Sequence, residues 1–273
     1  MFICNDAGMA QHAISSGVDR IFVDLEIHGK LERQGHRDTL ISGHSIHDVE
    51  NVRAAIGHAE LLVRVNPLHP HTHEEVDAVI AAGADLLMLP MFEKAEEVMY
   101  FVDIVQGRAK VILLVETPSA MKDFRCILRV PGIDEIYVGL NDLHISLKLD
   151  FMFELLADGS VEKMAANCQE VGIPFGFGGI ARMDEGLLPG DLVLAEHLRL
   201  KSTAVILSRT FHRASTSLDE IHSNLDFARE VHRLRECETR LAQRDNSEVE
   251  ADHRRLLQGV AEITAQIRSQ HPR

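Results

Sequence analysis

Eight short apolar runs, each followed by a helix-like pattern, restrict the fold of this chain more than any other feature. The runs are rich in Val, Ile and Leu, and they span residues 2–5, 21–25, 61–65, 85–89, 111–115, 134–138, 173–177 and 204–208. Continuous apolar strands that alternate with helices are typical of a parallel sheet covered on both faces. Eight strand–helix units close a (β/α)8 barrel, which needs roughly 250 residues. We therefore predict an α/β fold, a (β/α)8 TIM barrel, with an open doubly wound sheet as the alternative.

Candidate helices separate the runs, and the C-terminal part of the chain continues with helices alone. The helices between the runs are predicted at residues 7–16, 45–58, 72–82, 93–106, 119–129, 151–171 and 184–201. Helical spacing then continues through 218–243, and Ser247 with Glu250 has the spacing of a capping box that opens a second helix. We predict a catalytic barrel over 1–213 and a C-terminal tail of two amphipathic helices over 214–273. The apolar faces of the tail need a partner, either a neighbouring subunit or the chain's own barrel.

Charge and cysteine content exclude several classes of protein. The 273 residues carry 28 Lys and Arg against 42 Asp and Glu, a formal net charge of −14, which argues against a nucleic-acid surface. The four cysteines have no CxxC spacing, which favours a reducing compartment. No apolar run approaches the roughly 18 residues of a membrane span, and the N-terminus lacks the pattern of a signal peptide. We therefore expect a cytoplasmic protein with a small-molecule partner, without nucleic acid or membrane.

Polar residues and glycines follow the apolar runs directly. Catalytic residues of a (β/α)8 barrel lie at the C-terminal ends of its strands. The residues at these predicted ends are Asn5, Asp24, Glu26, His28, Arg64, Asn66, Met91, Glu116, Asn141, Asp142, Gly178, Gly179, Ser208 and Arg209. Together they predict a pocket rich in carboxylates that also holds arginine.

Glu116 and Asp142 end neighbouring predicted strands, so their carboxylates are expected to converge. Two carboxylates, completed by water and substrate oxygens, are a usual way to hold Mg²⁺ or Mn²⁺. Each residue also has a structural interpretation. Glu116 precedes Thr117-Pro118, the start of a helix where an acid is favourable, and Asp142 follows Gly139 as a turn residue.

Arg64 interrupts the otherwise apolar strand LLVRVNP. A buried arginine needs an anionic partner, which is either Asp24 or Glu26 in a structural ion pair or an anionic substrate. His28 is a candidate general base, although it is one of 16 histidines and a surface position is the alternative.

Two further motifs are open to more than one interpretation. Three histidines alternate in NPLHPHTH at 66–73, which we interpret as a solvated loop before a helix rather than a metal site. The GFGGIA segment at 176–181 matches a dinucleotide fingerprint, but it lies in the seventh unit rather than the first. Its glycines are better suited to bringing backbone N–H groups to a substrate anion.

These residues together resemble the HpcH/HpaI aldolase and citrate lyase family, metal-dependent lyases built on (β/α)8 barrels. The resemblance covers residues 1–213, and the stretches that carry it are IFVDLEIHGK, LLVRVNP, GADLLMLPMFEKAEEV, LLVETPSAM and PGIDEIYVGLNDLHISL. It implies that Glu116 and Asp142 bind a divalent metal, Mg²⁺ or else Mn²⁺ or Co²⁺. It also implies a homo-oligomer, from dimer to hexamer.

The resemblance assigns roles to the remaining strand-end residues as well. Arg64 would stabilise the oxygen of a pyruvate-type enolate, and Asp24 and Glu26 would support metal-bound water or nearby polar groups. The backbone around Asn141 and Asp142 would bind the substrate carboxylate. We add three strand-end residues to the predicted substrate site, namely Gly139, Gly178 and Arg209.

Three departures from the family pattern prevent a transfer of substrate identity. The aldolase branch reads D-x-E-H, whereas here Ile27 separates Glu26 from His28, and DLEIHGK is closer to the D-L-E-D of the citrate lyase branch. Leu114 stands where the aldolases often carry Gln, and Leu140-Asn141 replaces the Pro-Ala of G-P-A-D. His28 therefore lies one residue beyond the position of the proton-transfer His of the aldolases.

The expected function is that of a divalent-metal-dependent carbon–carbon lyase, an aldolase that acts on a 2-oxo acid or hydroxy acid. A lyase for acyl-CoA thioesters is one alternative, although the net charge of −14 does not favour a groove for the CoA phosphates. A non-catalytic barrel that acts as an oligomeric interaction protein through its tail is the other.

Overall fold

A closed barrel of eight parallel strands forms the centre of the computed structural model, which describes residues 1–27 and 44–270. The strands are β1 (Phe2–Ile3), β2 (Arg20–Asp24), β3 (Glu60–Arg64), β4 (Leu86–Leu89), β5 (Lys110–Val115), β6 (Glu135–Val138), β7 (Phe175–Ile180) and β8 (Ala204–Leu207). Each strand pairs with the next, and β8 pairs with β1 through Leu207 and Phe2. The predicted (β/α)8 barrel is confirmed, and the open sheet is excluded because the barrel closes.

Helices surround the barrel and continue beyond its last strand. They are α1 (Ala7–Ser15), α2 (Ile46–Ile56), α3 (Thr72–Ala81), α4 (Ala95–Val105), α5 (Pro118–Lys122), α6 (Phe124–Ile127), α7 (Leu140–Ser146), α8 (Glu154–Ala157), α9 (Ser160–Val171), α10 (Gly190–Arg199), α11 (Leu218–Asn224), α12 (Phe227–Leu241) and α13 (Asn246–Gln270). None of the helices in the described part of the chain combines the length and apolarity that crossing a membrane requires.

The structure differs from the predicted elements at several places. β7 runs to Ile180, beyond its predicted end, because its glycines dilute the apolar signal. The helix predicted over 151–171 is interrupted at Gly159, which has φ +79°. The short helix α7 was not predicted, since it is only seven residues long and begins directly after Gly139.

The tail holds three helices instead of the two that were predicted. α11 ends at Asn224, and Leu225 is extended, so the single helix over 218–243 was wrong. The capping box of α13 also differs from the predicted Ser247 and Glu250. Asp245 Oδ1 accepts from the Glu248 N–H at 2.9 Å, and Glu248 Oε2 accepts from the Asp245 N–H at 2.9 Å.

The tail helices pack on the barrel of their own chain. α12 and α13 contact α10, and α13 also contacts α8. Their apolar side chains join the main hydrophobic core, including Val231, Leu234, Leu256 and Val260. The chain's own barrel therefore covers these faces, whereas the domain boundary at residue 213 and a role of the tail in oligomerisation stay predictions.

Ion pairs close the end of the barrel opposite to the strand C-termini. Arg20 on β2 donates to Glu60 on β3 at 2.9 Å and pairs with Glu135 on β6 at 3.0 Å. Above them, apolar side chains fill the interior, among them Phe22, Leu62, Leu86, Met88, Ile112, Leu114 and Tyr137. The interior is thus a packed core rather than a channel, which leaves the C-terminal mouth for chemistry.

Replacement of a leucine in α13 tests whether the tail is part of the barrel's folding unit. Leu256 is 1 % exposed against the barrel, so Leu256→Ala should lower the free energy of unfolding by about 2–5 kcal/mol. Leu187→Ala is the matched control, since Leu187 is 73 % exposed and its removal should have little effect. Denaturant unfolding of both variants measures the difference, and equal losses would show that α13 does not pack as described.

Candidate functional site

Arg64 lies at the end of β3, where the polar strand ends meet. Asp24 is its register neighbour on β2, and its two carboxylate oxygens accept from Arg64 Nε and Nη2, each at 2.8 Å. Two parallel bonds of this kind fix the plane of the guanidinium as well as its position. Of the two protein partners predicted for Arg64, Asp24 therefore makes the stronger contact.

Two glutamates complete the surroundings of the guanidinium. Arg64 Nη1 lies 3.2 Å from Glu26 Oε2 and 3.8 Å from Glu116 Oε1. All three carboxylates are buried, and together with the arginine they carry a formal charge of −2. Burial disfavours the charged guanidinium, but Asp24, Glu26 and Glu116 more than offset this and raise the pKa of Arg64. We call these four residues the Arg64 cluster.

Glu116 is held close to the end of β6. Val115 pairs with Val138, and the Gly139 N–H donates to the Val115 carbonyl at 3.0 Å. A Cβ atom on Gly139 would lie 2.6 Å from Glu116 Cγ and 2.7 Å from its Oε1. Only glycine therefore allows the backbone to pass so near this carboxylate. Thr117 caps α5 by accepting from the Ala120 N–H at 3.1 Å, so Glu116 also precedes a helix, as its structural interpretation required.

Asp142 lies in the first turn of α7 and is buried. Its interpretation as a turn residue was wrong, because Gly139 caps a helix that begins at Leu140. Since Gly139 is in contact with Glu116 and α7 starts at the next residue, the two predicted metal ligands belong to neighbouring strand ends. Asn141 is exposed beside Asp142.

Asn66 bonds to the segment that follows β2. Its side-chain amide donates to Glu75 Oε1 at 2.7 Å, and its Oδ1 accepts from the Ile27 N–H at 2.9 Å. Glu75 Oε2 lies 2.9 Å from His69 Nε2, so one histidine of the HPHTH stretch contacts a carboxylate of α3. The stretch is a loop and the start of a helix, in agreement with our interpretation.

His44 is a residue of the site that sequence reasoning missed. Its Nδ1 accepts from the backbone N–H of Asp24 at 3.0 Å, which places the proton of a neutral ring on Nε2. β1 ends at Ile3, one residue short of the length needed to pair with this amide, and the imidazole takes that place. No sequence signal distinguishes His44 from the other histidines. His28, the predicted base, lies outside the described residues.

The predicted residues of β7 and β8 are Gly178 and Arg209. Gly178 has φ +56° within β7, and Arg209 is exposed in the turn after β8. Within residues 1–27 and 44–270, no hydrogen bond or ion pair joins Arg209 to the cluster. Arg182, which was not predicted, is buried and donates to the carbonyls of Thr210 and Phe211 at 3.0 and 2.6 Å. It ties the β7 and β8 loops together.

The donor set at the mouth is suited to a hard cation, but only as part of a coordination shell. In the described part of the chain, no three His, Cys, Asp or Glu side chains form a group able to hold a metal ion alone. Glu116 and Asp142 are buried carboxylates at adjacent strand ends, and Mg²⁺ commonly takes one or two such ligands and keeps several oxygens from water or substrate. The residues present therefore fit a cation held in that way.

Buried carboxylates and a fixed arginine lie at the strand C-termini of this (β/α)8 barrel, where barrel enzymes carry their active sites. The family model of HpcH/HpaI aldolase/citrate lyase matches residues 1–173, and the chain belongs to this family. The family comprises lyases and aldolases that generally depend on divalent metals. None of the curated proteins matches this sequence significantly.

Solved structures share the fold at low sequence identity. An HpcH/HpaI aldolase from Desulfitobacterium hafniense DCB-2 has a TM-score of 0.61 at 15 % identity, over 82 % of this chain and 92 % of that chain. A family member from Burkholderia cenocepacia J2315 has 0.61 at 16 %, over 88 % and 94 %. The citrate synthase SbnG has 0.59 at 16 %, over 86 % and 93 %. At these identities the likeness establishes the fold.

Removal of the Arg64 guanidinium should be strongly destabilising. Arg64→Gln leaves Asp24, Glu26 and Glu116 buried without their shared cation, and breaking a buried ion pair in this way lowers the free energy of unfolding by about 3–5 kcal/mol. Arg108→Gln is the control, because Arg108 pairs with Asp77 at the surface, where ion pairs contribute little. Denaturant unfolding compares the two, and a similar loss in both would contradict the described cluster.

Two substitutions of His44 should distinguish how much its hydrogen-bond acceptor and how much its side-chain volume contribute to the free energy of unfolding. His44→Ala removes the acceptor of the Asp24 N–H, and loss of a partner to a buried donor lowers the free energy of unfolding by about 1–3 kcal/mol. His44→Asn should recover much of this, since its Oδ1 lies close to the position of Nδ1. Unfolding measurements on both variants decide the point, and equal losses would argue that the bond to Asp24 is unimportant.

Proposed function

We propose that this protein is a divalent-metal-dependent carbon–carbon lyase that cleaves or forms a 2-oxo acid through a pyruvate-type enolate. Family membership supports lyase chemistry in general. The observation that carries the specific proposal is the two-bond contact of Arg64 with Asp24 beside the buried carboxylate of Glu116. It places a rigid cationic donor next to a predicted metal ligand at the mouth of the barrel.

Glu116 and Asp142 are the residues that we assign to the cation, with Mg²⁺ as the first choice. When bound, such a cation supplies Lewis-acid polarisation of the carbonyl and carboxylate oxygens of the substrate. Asp24 and Glu26 would support the water molecules and polar groups around it. Glu26 is well placed for this, because its N–H donates to Asp24 Oδ1 at 3.2 Å and its own carboxylate lies beside Arg64.

Arg64 is the residue that we assign to the enolate oxygen. Asp24 occupies Nε and Nη2, so Nη1 is the nitrogen nearest to Glu116. A donor that is already fixed before the reaction stabilises charge as it develops without the need to reorganise. Proton transfer is assigned to His28 or to water held by Glu26. Substrate contacts are assigned to Gly139, the backbone around Asn141 and Asp142, Gly178 and Arg209.

Glu116→Gln tests the metal assignment directly. The wild-type protein should catalyse exchange of the pyruvate C3–H protons in the presence of Mg²⁺, and EDTA should abolish it. Glu116→Gln should lose this exchange. It should also weaken Mn²⁺ binding by at least about 10–100-fold, the loss typical when a residue next to a metal ligand is replaced, because here the charge of a ligand itself is removed.

Glu135→Gln is the matched control for that experiment. Glu135 is another buried carboxylate, but it pairs with Arg20 at the opposite end of the barrel. The Glu135→Gln variant should therefore keep a pyruvate exchange rate and an Mn²⁺ affinity near those of the wild type. Activity that survives EDTA or Glu116→Gln would refute the metal proposal. A thermal shift with CoA and no exchange with pyruvate would favour the acyl-CoA alternative instead.

A further inference from the structure

The phenol of Tyr137 lies in a gap between β7 and β8. Its side chain is 1 % exposed inside the barrel, and burial raises the pKa of the hydroxyl, which therefore stays protonated. The hydroxyl donates towards the carbonyls of Gly178 at 2.5 Å and Phe177 at 3.1 Å. It also accepts from the Ile206 N–H at 2.9 Å. A β6 side chain thus contacts the backbones of β7 and β8 at once.

A bulge in β7 creates the place for this hydroxyl. Gly176 pairs with Ala204, whereas the next paired residues are Gly179 and Ile206, so β7 has one residue more than β8 between the two pairs. The extra residue of a bulge leaves backbone groups without their ladder partners, and such groups are unfavourable when buried. The Tyr137 hydroxyl forms hydrogen bonds to backbone groups of both strands, in place of the hydrogen bonds that the strands do not make to each other at the bulge.

The glycines of β7 are the residues that this arrangement requires. A Cβ atom on Gly176 would lie 2.7 Å from the Tyr137 ring, so any larger residue would displace the ring. Gly178 has φ +56°, in the left-handed region that glycine adopts readily. The glycine-rich segment is therefore matched to the phenol.

Gly178 connects the bulge with the helix that carries Asp142. A Cβ atom on Gly178 would lie 2.8 Å from Leu140 Cδ1, so the β7 backbone directly abuts the first residue of α7. On its other side, the start of α7 meets Glu116 through Gly139. The first turn of α7 is thus fixed between β5 and β7, and the position of β7 at this point depends on Tyr137.

We propose that Tyr137 is a positioning residue for Asp142: its hydroxyl holds the β7 bulge against Leu140 and thereby sets where the first turn of α7 lies. In so far as Asp142 is a metal ligand, the inference rests on the proposed function. The placement of α7 does not depend on metal binding, and amide exchange in α7 measures it separately.

Tyr137→Phe removes only the hydroxyl and is the primary test. Calorimetric titration with Mn²⁺ should show binding about tenfold weaker than wild type in protein that remains folded. Backbone amide exchange in α7, read at the Leu143 N–H that donates to the Gly139 carbonyl, should be several-fold faster without any metal. Tyr100→Phe is the matched control, because Tyr100 is the other tyrosine, is 53 % exposed and should change neither quantity.

Leu140→Ala is the second variant, since it removes the contact with Gly178 and leaves the phenol in place. It should also weaken Mn²⁺ binding. The double variant Tyr137→Phe/Leu140→Ala should bind Mn²⁺ with nearly the same affinity as the weaker-binding of the two single variants, as expected of two residues that act through one another. Additive effects of the two substitutions would overturn the proposal. If Tyr137→Phe does not fold, an unchanged Mn²⁺ affinity of Leu140→Ala overturns it alone.

The outcomes separate this inference from the proposed function. If Tyr137→Phe binds Mn²⁺ as tightly as the wild type does, Tyr137 has only a structural role, even where the variant is less stable. Failure of the wild type to bind Mn²⁺ would refute the metal proposal. The exchange of the α7 amides would then still decide the inference, with unchanged rates refuting it and faster rates supporting it.

Discussion

The burial of one guanidinium among carboxylates is the interaction on which the mouth of this barrel depends. Arginine does not lose its proton inside a protein, so Arg64 is stable there only if anions surround it. Asp24 meets that need with two bonds, and Glu26 and Glu116 add charge. These residues come from β2, β3 and β5 or directly follow them, so the cluster forms only when the strands lie in the observed register.

Close backbone approach at glycine is the second constraint, and it sets where α7 begins. Gly139 lets β6 end beside Glu116, and Gly178 lets β7 approach Leu140. A Cβ atom on Gly139 would displace the Glu116 side chain, and one on Gly178 would displace the side chain of Leu140. The absence of a side chain at Gly139 and Gly178 is therefore part of what allows α7, and with it Asp142, to lie between β5 and β7.

The sequence predicts most of the barrel because apolar runs report burial, which is a property of each strand by itself. The same reasoning reaches the Arg64–Asp24 pair, since a charge inside an apolar strand requires a partner and few are near. It does not reach His44 or Tyr137, which fill gaps in the hydrogen bonding of other strands. Those gaps exist only after strand lengths and the β7 bulge are set, so no local pattern marks them.

The two ends of the barrel use the same kinds of residue with different charge balance. At the closed end, Arg20 and Lys110 meet Glu60 and Glu135, so the formal charges cancel. At the mouth, Arg64 meets three carboxylates and the four residues sum to −2. Among the described residues, a balanced cluster thus closes one end of the barrel. At the other end, Arg64 is fixed by two bonds to Asp24 at the strand C-termini, where barrel enzymes carry their active sites. A fixed arginine beside buried carboxylates at the strand C-termini gives a physical reason to place chemistry at the mouth.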